Sequence, residues 1–144
     1  MATLNPYLNF AGNTEEAFNF YKSILGGDFE GGIMRFKDTP EAGKMTKSDA
    51  EKVMHVSLPV GKSNRIMATD ALESHGFKLT FGNNILLSLE AESKEEAEKL
   101  FNGLSKDGKV TMPLSDQFWG AYFGSLTDKF GVHWMVNYTY PKKN

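Results

Sequence analysis

Asn13-Thr-Glu-Glu-Ala17-Phe-Asn-Phe20-Tyr21-Lys-Ser-Ile24 returns eighty positions later as Ser93-Lys-Glu-Glu-Ala97-Glu-Lys-Leu100-Phe101-Asn-Gly-Leu104. Each copy opens on a residue that can cap a helix, Asn13 or Ser93, with a glutamate three places on, Glu16 or Glu96, as a capping box requires. Apolar side chains then fall at Ala17, Phe20, Tyr21 and Ile24, and at Ala97, Leu100, Phe101 and Leu104. That i, i+3, i+4, i+7 spacing predicts one apolar face per helix, meant to lie on a sheet. A unit that occurs twice in one chain points to a site where its halves meet.

The segment before each helix repeats as well. In Leu4-Asn-Pro-Tyr-Leu-Asn-Phe10, alternation sends Leu4, Leu8 and Phe10 to one face and Asn5, Tyr7 and Asn9 to the other. In the second copy Ile85, Leu87 and Leu89 form the apolar face, opposite Asn84, Leu86, Ser88 and Glu90. Face parity pairs Asn5 with Asn84, because a one-residue slip would exchange the two faces. Downstream of the first helix, Gly26-Gly27 is a stop signal and residues 31–36 read as a strand. Residues 37–52 form a long polar excursion with at most one helical turn, a length that marks mobile or functional loops. Strands at 53–58 and 65–70 flank a turn at Gly61-Lys-Ser-Asn64. The second half runs strand 84–90, helix 94–105 and strands 109–114, 119–127 and 132–139, the last pair closed by Asp128-Lys-Phe-Gly131.

The order is βαβββ twice. A chain of 144 residues is one ordinary domain or two fused half-units, and the repeat favours the second, with modules at 1–75 and 76–144. The expected fold class is α+β, with two curved mixed sheets around a shared cup and a helix on the outer face of each.

Composition narrows the partners. A net charge of −2, a pI near 5.9 and scattered lysines argue against a nucleic-acid surface. There is no cysteine, which removes disulfides, thiolate nucleophiles and cysteine-built zinc sites. The first residues carry neither a basic nor an apolar leader region, and no run of eighteen apolar residues occurs. The expectation is a cytoplasmic protein with no membrane partner.

Two βαβββ modules of this size resemble the vicinal oxygen chelate superfamily of glyoxalases, bleomycin-resistance proteins and extradiol dioxygenases. Pro6-Tyr-Leu-Asn-Phe-Ala-Gly-Asn13, Glu15-Glu-Ala17, Phe20-Tyr21, Met54-His55, Val110-Thr-Met-Pro-Leu114, Phe118-Trp-Gly120 and Phe123-Gly-Ser-Leu-Thr-Asp-Lys-Phe-Gly-Val-His-Trp134 are similar, in order and spacing, to the PhnB-like branch. Some members of that branch carry a demethylubiquinone methyltransferase label. The resemblance implies a homodimer, since relatives pair, and in metal-dependent members two ligands from each module, usually His or Glu on its first and last strands. Those positions fall here on Asn5, on Asn84 or Ile85 according to register, and on Met67 and Met135. Amides and thioethers are poor ligands for a hard divalent ion, so no metal and no other cofactor is expected.

Other residues compete for the site. His55 lies opposite Met54, Val56 and Leu58, and His133 shares a face with Met135. They could act as an acid–base or makeshift metal pair, or be hydrogen-bonded wall residues. His75, beside Gly76, reads as a surface residue. Phe118, Trp119, Tyr122 and Phe123 form either a stacking platform or ordinary sheet and dimer packing. Asp70 and Glu90, at strand ends, read as solvated carboxylates. Gly26-Gly-Asp-Phe-Glu-Gly-Gly32 follows a helix and precedes a strand, the reverse of a phosphate loop, and no glycine-rich strand-to-helix turn suits a methyl-donor nucleoside.

The expected ligand set is Asn5, Tyr7, His55, Met67, Trp119, His133 and Met135, around a small organic molecule bound or transformed without metal. The alternatives are a metal-dependent lyase or dioxygenase of the glyoxalase type, non-catalytic sequestration of a planar drug, and methyl transfer.

Overall fold

A computed structural model describes residues 1–142. The chain divides into two compact units, Met1–Thr80 and one that begins at Phe81. In the first, β1 (Tyr7–Phe10) leads into α1 (Thr14–Leu25), then β2 (Met34–Arg35), a short helix α2 (Lys47–Ala50), β3 (Val53–Val60) and β4 (Asn64–Asp70). The second repeats the plan with β5 (Leu87–Glu90), α3 (Lys94–Ser105), β6 (Lys109–Gln117), β7 (Ala121–Thr127) and β8 (His133–Thr139). Strand order is β1-β4-β3-β2 in one sheet and β5-β8-β7-β6 in the other. In each, the first and last strands run parallel and the remaining pairs antiparallel. The βαβββ repeat and the α+β class are therefore present, with two four-stranded mixed sheets.

The helix-facing side of the first sheet is Phe10, Val56, Leu58, Ile66 and Ala68, all buried. Against it α1 lays Thr14, Ala17, Phe18 and Tyr21. The buried stripe is thus turned from the expected Ala17, Phe20, Tyr21 and Ile24, for Phe20 and Ile24 are only half-buried. Both sets have helical spacing, and Phe18 prevails because it meets Phe10, Tyr21 and Phe29 at ring-centroid distances of 6.4, 5.5 and 6.4 Å. In the second unit Ala97, Leu100, Phe101 and Leu104 are buried, as their spacing requires. The position corresponding to Phe18 is Glu98, which accepts the Tyr122 hydroxyl at 3.1 Å. A close approach at Gly124 seats this helix: a Cβ there would lie 2.7 Å from the Phe101 ring and 2.9 Å from Leu114 Cα.

The two helices are capped differently. Ser93 accepts the Glu96 N–H at 3.0 Å and Glu96 accepts the Glu92 N–H at 2.9 Å, a local capping arrangement. Asn13 makes no side-chain cap. Asp70, at the end of β4, takes that role, accepting the Gly12 and Thr14 N–H groups at 3.1 and 3.0 Å and the Thr14 hydroxyl at 2.6 Å through one oxygen. Its other oxygen accepts the Val53 N–H at 2.8 Å. The expectation of a solvated carboxylate is corrected for Asp70, which is buried because four donors compensate its lost hydration. Asp128 serves similarly in the second unit, accepting from the Phe130 and Val132 N–H groups and the Trp134 indole.

Residues 36–52 contain two 3-10 turns, Phe36–Asp38 and Ala42–Lys44, besides α2, so the excursion expected at 37–52 begins one residue earlier and holds more than the single helical turn expected. It is pinned to a third 3-10 turn, Glu73–His75, by Asp49, which accepts the Ser74 hydroxyl at 2.6 Å and the Lys52 ammonium at 3.0 Å.

Candidate functional site

The side of the first sheet away from α1 carries the chemistry. Alternation along β4 buries Ile66, Ala68 and Asp70 and leaves Arg65, Met67 and Thr69 half-exposed on the other face. Tyr7 pairs with Met67, which pairs with Ser57, so the three side chains form one row, with Asn9 and Thr69 in the next. Across these rows the Tyr7 hydroxyl lies 3.2 Å from His55 Nδ1, with ring centroids 5.9 Å apart. Partial burial pushes the Tyr7 phenol above its ordinary pKa. The phenol and the imidazole share a hydrogen bond whose donor is set by the ring's tautomer.

Beside the row, Ser57 is buried beneath an ion pair. Arg65 Nε donates to Glu30 Oε1 at 2.7 Å and the Ser57 hydroxyl donates to the same oxygen at 2.8 Å. Arg65, then Ser57, holds the Glu30 carboxyl below its usual range. The pair closes one end of the face.

At the other end the face leads into a cavity of about 200 Å³. Asn9 and Thr69 line it from the sheet, Phe36 from the excursion, and Leu72, His75 and Phe77 from the segment after β4. A second cavity of about 360 Å³ shares Phe36 and His75 and is otherwise lined by Thr39, Glu41, Lys44, Met45 and Met54.

Of the expected ligand residues, Tyr7, His55 and Met67 are brought together. Asn5 is not: it precedes β1, and its Oδ1 accepts the Arg65 N–H at 3.0 Å. In the second unit Met135 and His133 share a face of β8. The His133 ring is already engaged, since Nε2 must donate to the Gly82 carbonyl at 2.9 Å, leaving Nδ1 to accept the Thr127 hydroxyl at 2.8 Å. Trp119 lies at the tip between β6 and β7, exposed beside Phe118, at 5.0 Å between ring centroids. His75 is at the surface, as its loop position implies, and its ring also borders both cavities. Phe36, His75 and Phe77 left no periodic signal as site residues, because loops bring them in. Asn9 had one, its parity with Tyr7.

The fold implies a divalent ion, and the residues at the expected positions, Asn5, Asn84 or Ile85, Met67 and Met135, do not suit one. Amides and thioethers are poor ligands for a hard ion, and the Asn5 Oδ1 already accepts the Arg65 N–H at 3.0 Å. Among the described residues no three His, Asp or Glu side chains gather where they could hold a metal ion. Among the same residues no helix is long and apolar enough to cross a membrane.

The family model described as 3-demethylubiquinone-9 3-methyltransferase matches residues 2–137. The chain belongs to that family. It is 32% identical over 142 residues to Protein YjdN of Escherichia coli strain K12, covering 93% of each chain. Protein PA1353 from Pseudomonas aeruginosa has a similar solved structure, at 42% identity and a TM-score of 0.85, covering 96% of this chain and 98% of that one. A putative 3-demethylubiquinone-9 3-methyltransferase, PhnB protein, from Bacillus cereus follows at 29% identity and a TM-score of 0.74, over 96% and 100%. At 16% identity and a TM-score of 0.63, a glyoxalase/bleomycin resistance protein/dioxygenase family enzyme from Burkholderia phytofirmans PsJN shares the fold over 93% of this chain and 97% of that one. The chain is PhnB-like and has a glyoxalase-like fold.

Proposed function

We propose that the chain binds a small organic molecule on the helix-free face of the first sheet, at the Tyr7–His55 pair, without a divalent metal. The observation that carries this reading is the 3.2 Å contact between phenol and imidazole on a half-exposed face beside the Met67 thioether. A phenol, an imidazole and a pliable sulfur recognise an uncharged or weakly anionic organic group better than a phosphate or a polycation.

The methyl transfer named in the family's description finds little support at the strand-to-helix turns. Gly12 and Thr14 direct their N–H groups at Asp70, and Glu92 and Glu96 direct theirs at the Glu96 and Ser93 side chains. Those donors would otherwise hold the anionic or ribose part of a nucleoside cofactor. A second reading, sequestration of a planar molecule, is favoured by the exposed Phe118–Trp119 pair.

The test is ligand-observed NMR with a panel of small organic molecules, run on metal-analysed protein. Saturable binding abolished by Tyr7→Ala and His55→Ala, with the melting temperature unchanged and no stoichiometric Zn, Ni, Mn or Fe, supports the proposal. One tightly held metal per chain, needed for that binding, would sink it. Binding lost only in Trp119→Ala would move the site to the second unit and favour sequestration.

A further inference from the structure

We propose that the cavity between the β1 and β4 ends and Phe36 is a subsite for a single aromatic ring carrying an uncharged oxygen, hydrogen-bonded by Asn9 and His75. The inference rests on the reading of the first sheet's free face as a ligand surface, and it names what the deep end of that surface accepts.

Size comes first. At about 200 Å³ the cavity is smaller than the pockets of roughly 300–1,000 Å³ that enclose drug-sized ligands, so it suits one ring with small substituents. The walls come second: Phe36, Leu72 and Phe77 offer apolar surface, and Phe77 is largely exposed despite its size. A flat ring would cover what these side chains now present to water.

Polar groups decide the rest. Among the described residues, neither the Asn9 amide nor the His75 imidazole has a side-chain hydrogen bond, although both border the cavity. Asn9 can donate to a carbonyl or ether oxygen or accept from a hydroxyl, and His75 can do either through its ring nitrogens. Asp70 borders the cavity, but both its carboxylate oxygens are directed at Gly12, Thr14 and Val53 on the helix side of the sheet. Among the described residues the lining holds no Lys, Arg or other carboxylate to pair with a ligand ion, so an uncharged oxygen is what the Asn9 amide and the His75 imidazole suit. The Asp49–Ser74 hydrogen bond anchors the turn that carries His75, which keeps the imidazole at the rim.

Three probes with one skeleton test this: 4-methoxyphenol, 4-methoxybenzoate and 4-methoxybenzylamine, titrated by ligand-observed NMR against the full chain. We expect 4-methoxyphenol to bind saturably and both charged probes at least tenfold more weakly. Asn9→Ala and His75→Ala should each weaken 4-methoxyphenol about tenfold, and Phe36→Leu should do so with a melting temperature close to that of the parent. The proposal is overturned if a charged probe binds as well as the phenol, if none binds, or if Asn9→Ala and His75→Ala leave the affinity unchanged. Tyr7→Ala and His55→Ala separate the two readings. If they alone abolish binding, the ligand lies on the open sheet face, and the subsite falls while the broader function stands.

Discussion

The carboxylate of Asp70 receives both the backbone N–H and the hydroxyl of Thr14, fifty-six residues earlier, at 3.0 and 2.6 Å. One side chain thereby ties the end of β4 to the start of α1, and through Val53 to the start of β3. Asp70→Asn keeps the shape and turns an acceptor into a donor facing N–H groups. Each buried donor left without a partner costs about 1–3 kcal/mol, so a loss of about 3 kcal/mol is expected in urea unfolding. A loss below 0.5 kcal/mol would show that the cap contributes little.

Phe18 and Phe20 sit two residues apart on α1 and differ in burial. Phe18→Ala should cost about 3–5 kcal/mol, the range for a large aromatic removed from a packed core. Phe20→Ala should cost less than half of that. Equal losses in chemical denaturation would restore the stripe read from spacing alone.

Asp49 links pH to the excursion beside the cavities. The Ser74 hydroxyl, and then the Lys52 ammonium, hold its carboxyl below the ordinary range. A lowered folded pKa contributes stability that is present above the unfolded value, about 3.9, and is lost as pH falls through the folded one. The gap in melting temperature between the parent and Asp49→Asn should hold constant from about pH 7 to 5 and shrink below about 4. A gap that persists undiminished to about pH 2.5 counts against the linkage.

Tyr140 donates to Asp116, and that bond, with burial second, pushes its phenol up to about 12. A raised pKa leaves the associated stability intact below the unfolded value of about 10 and removes it as pH rises toward the folded one. Alkaline titration of phenolate absorbance should show a late step that Tyr140→Phe deletes. A titration curve unchanged by that substitution would contradict the assignment.

We propose that two copies of the chain pair. β6 is an edge strand with Val110 and Met112 exposed, and it ends beside the exposed Phe118 and Trp119. An edge of that length with apolar side chains invites association. Light scattering should return twice the 16.1 kDa chain mass at micromolar concentration. A single-chain mass across the dilution series would refute it.

What the sequence determined by itself is what depends on neighbours a few residues apart. The repeated βαβββ order, the face of α3 and its Ser93–Glu96 cap follow from 3.6-residue periodicity and an i to i+3 hydrogen bond. The shared face of Tyr7, His55 and Met67 follows from two-residue alternation, once the strands pair in register. Tertiary structure decided the remainder. Two stripes on α1 satisfied helical spacing equally, and only the Phe10 and Phe29 rings selected the one with Phe18. Asn13 looked like the cap, but a buried carboxylate from β4 holds the helix start instead, through the Gly12 and Thr14 N–H groups. Loops without any period brought Phe36 and His75 together around one cavity. Contacts between residues far apart in the chain are set by how the elements pack, and no local pattern of residues encodes that.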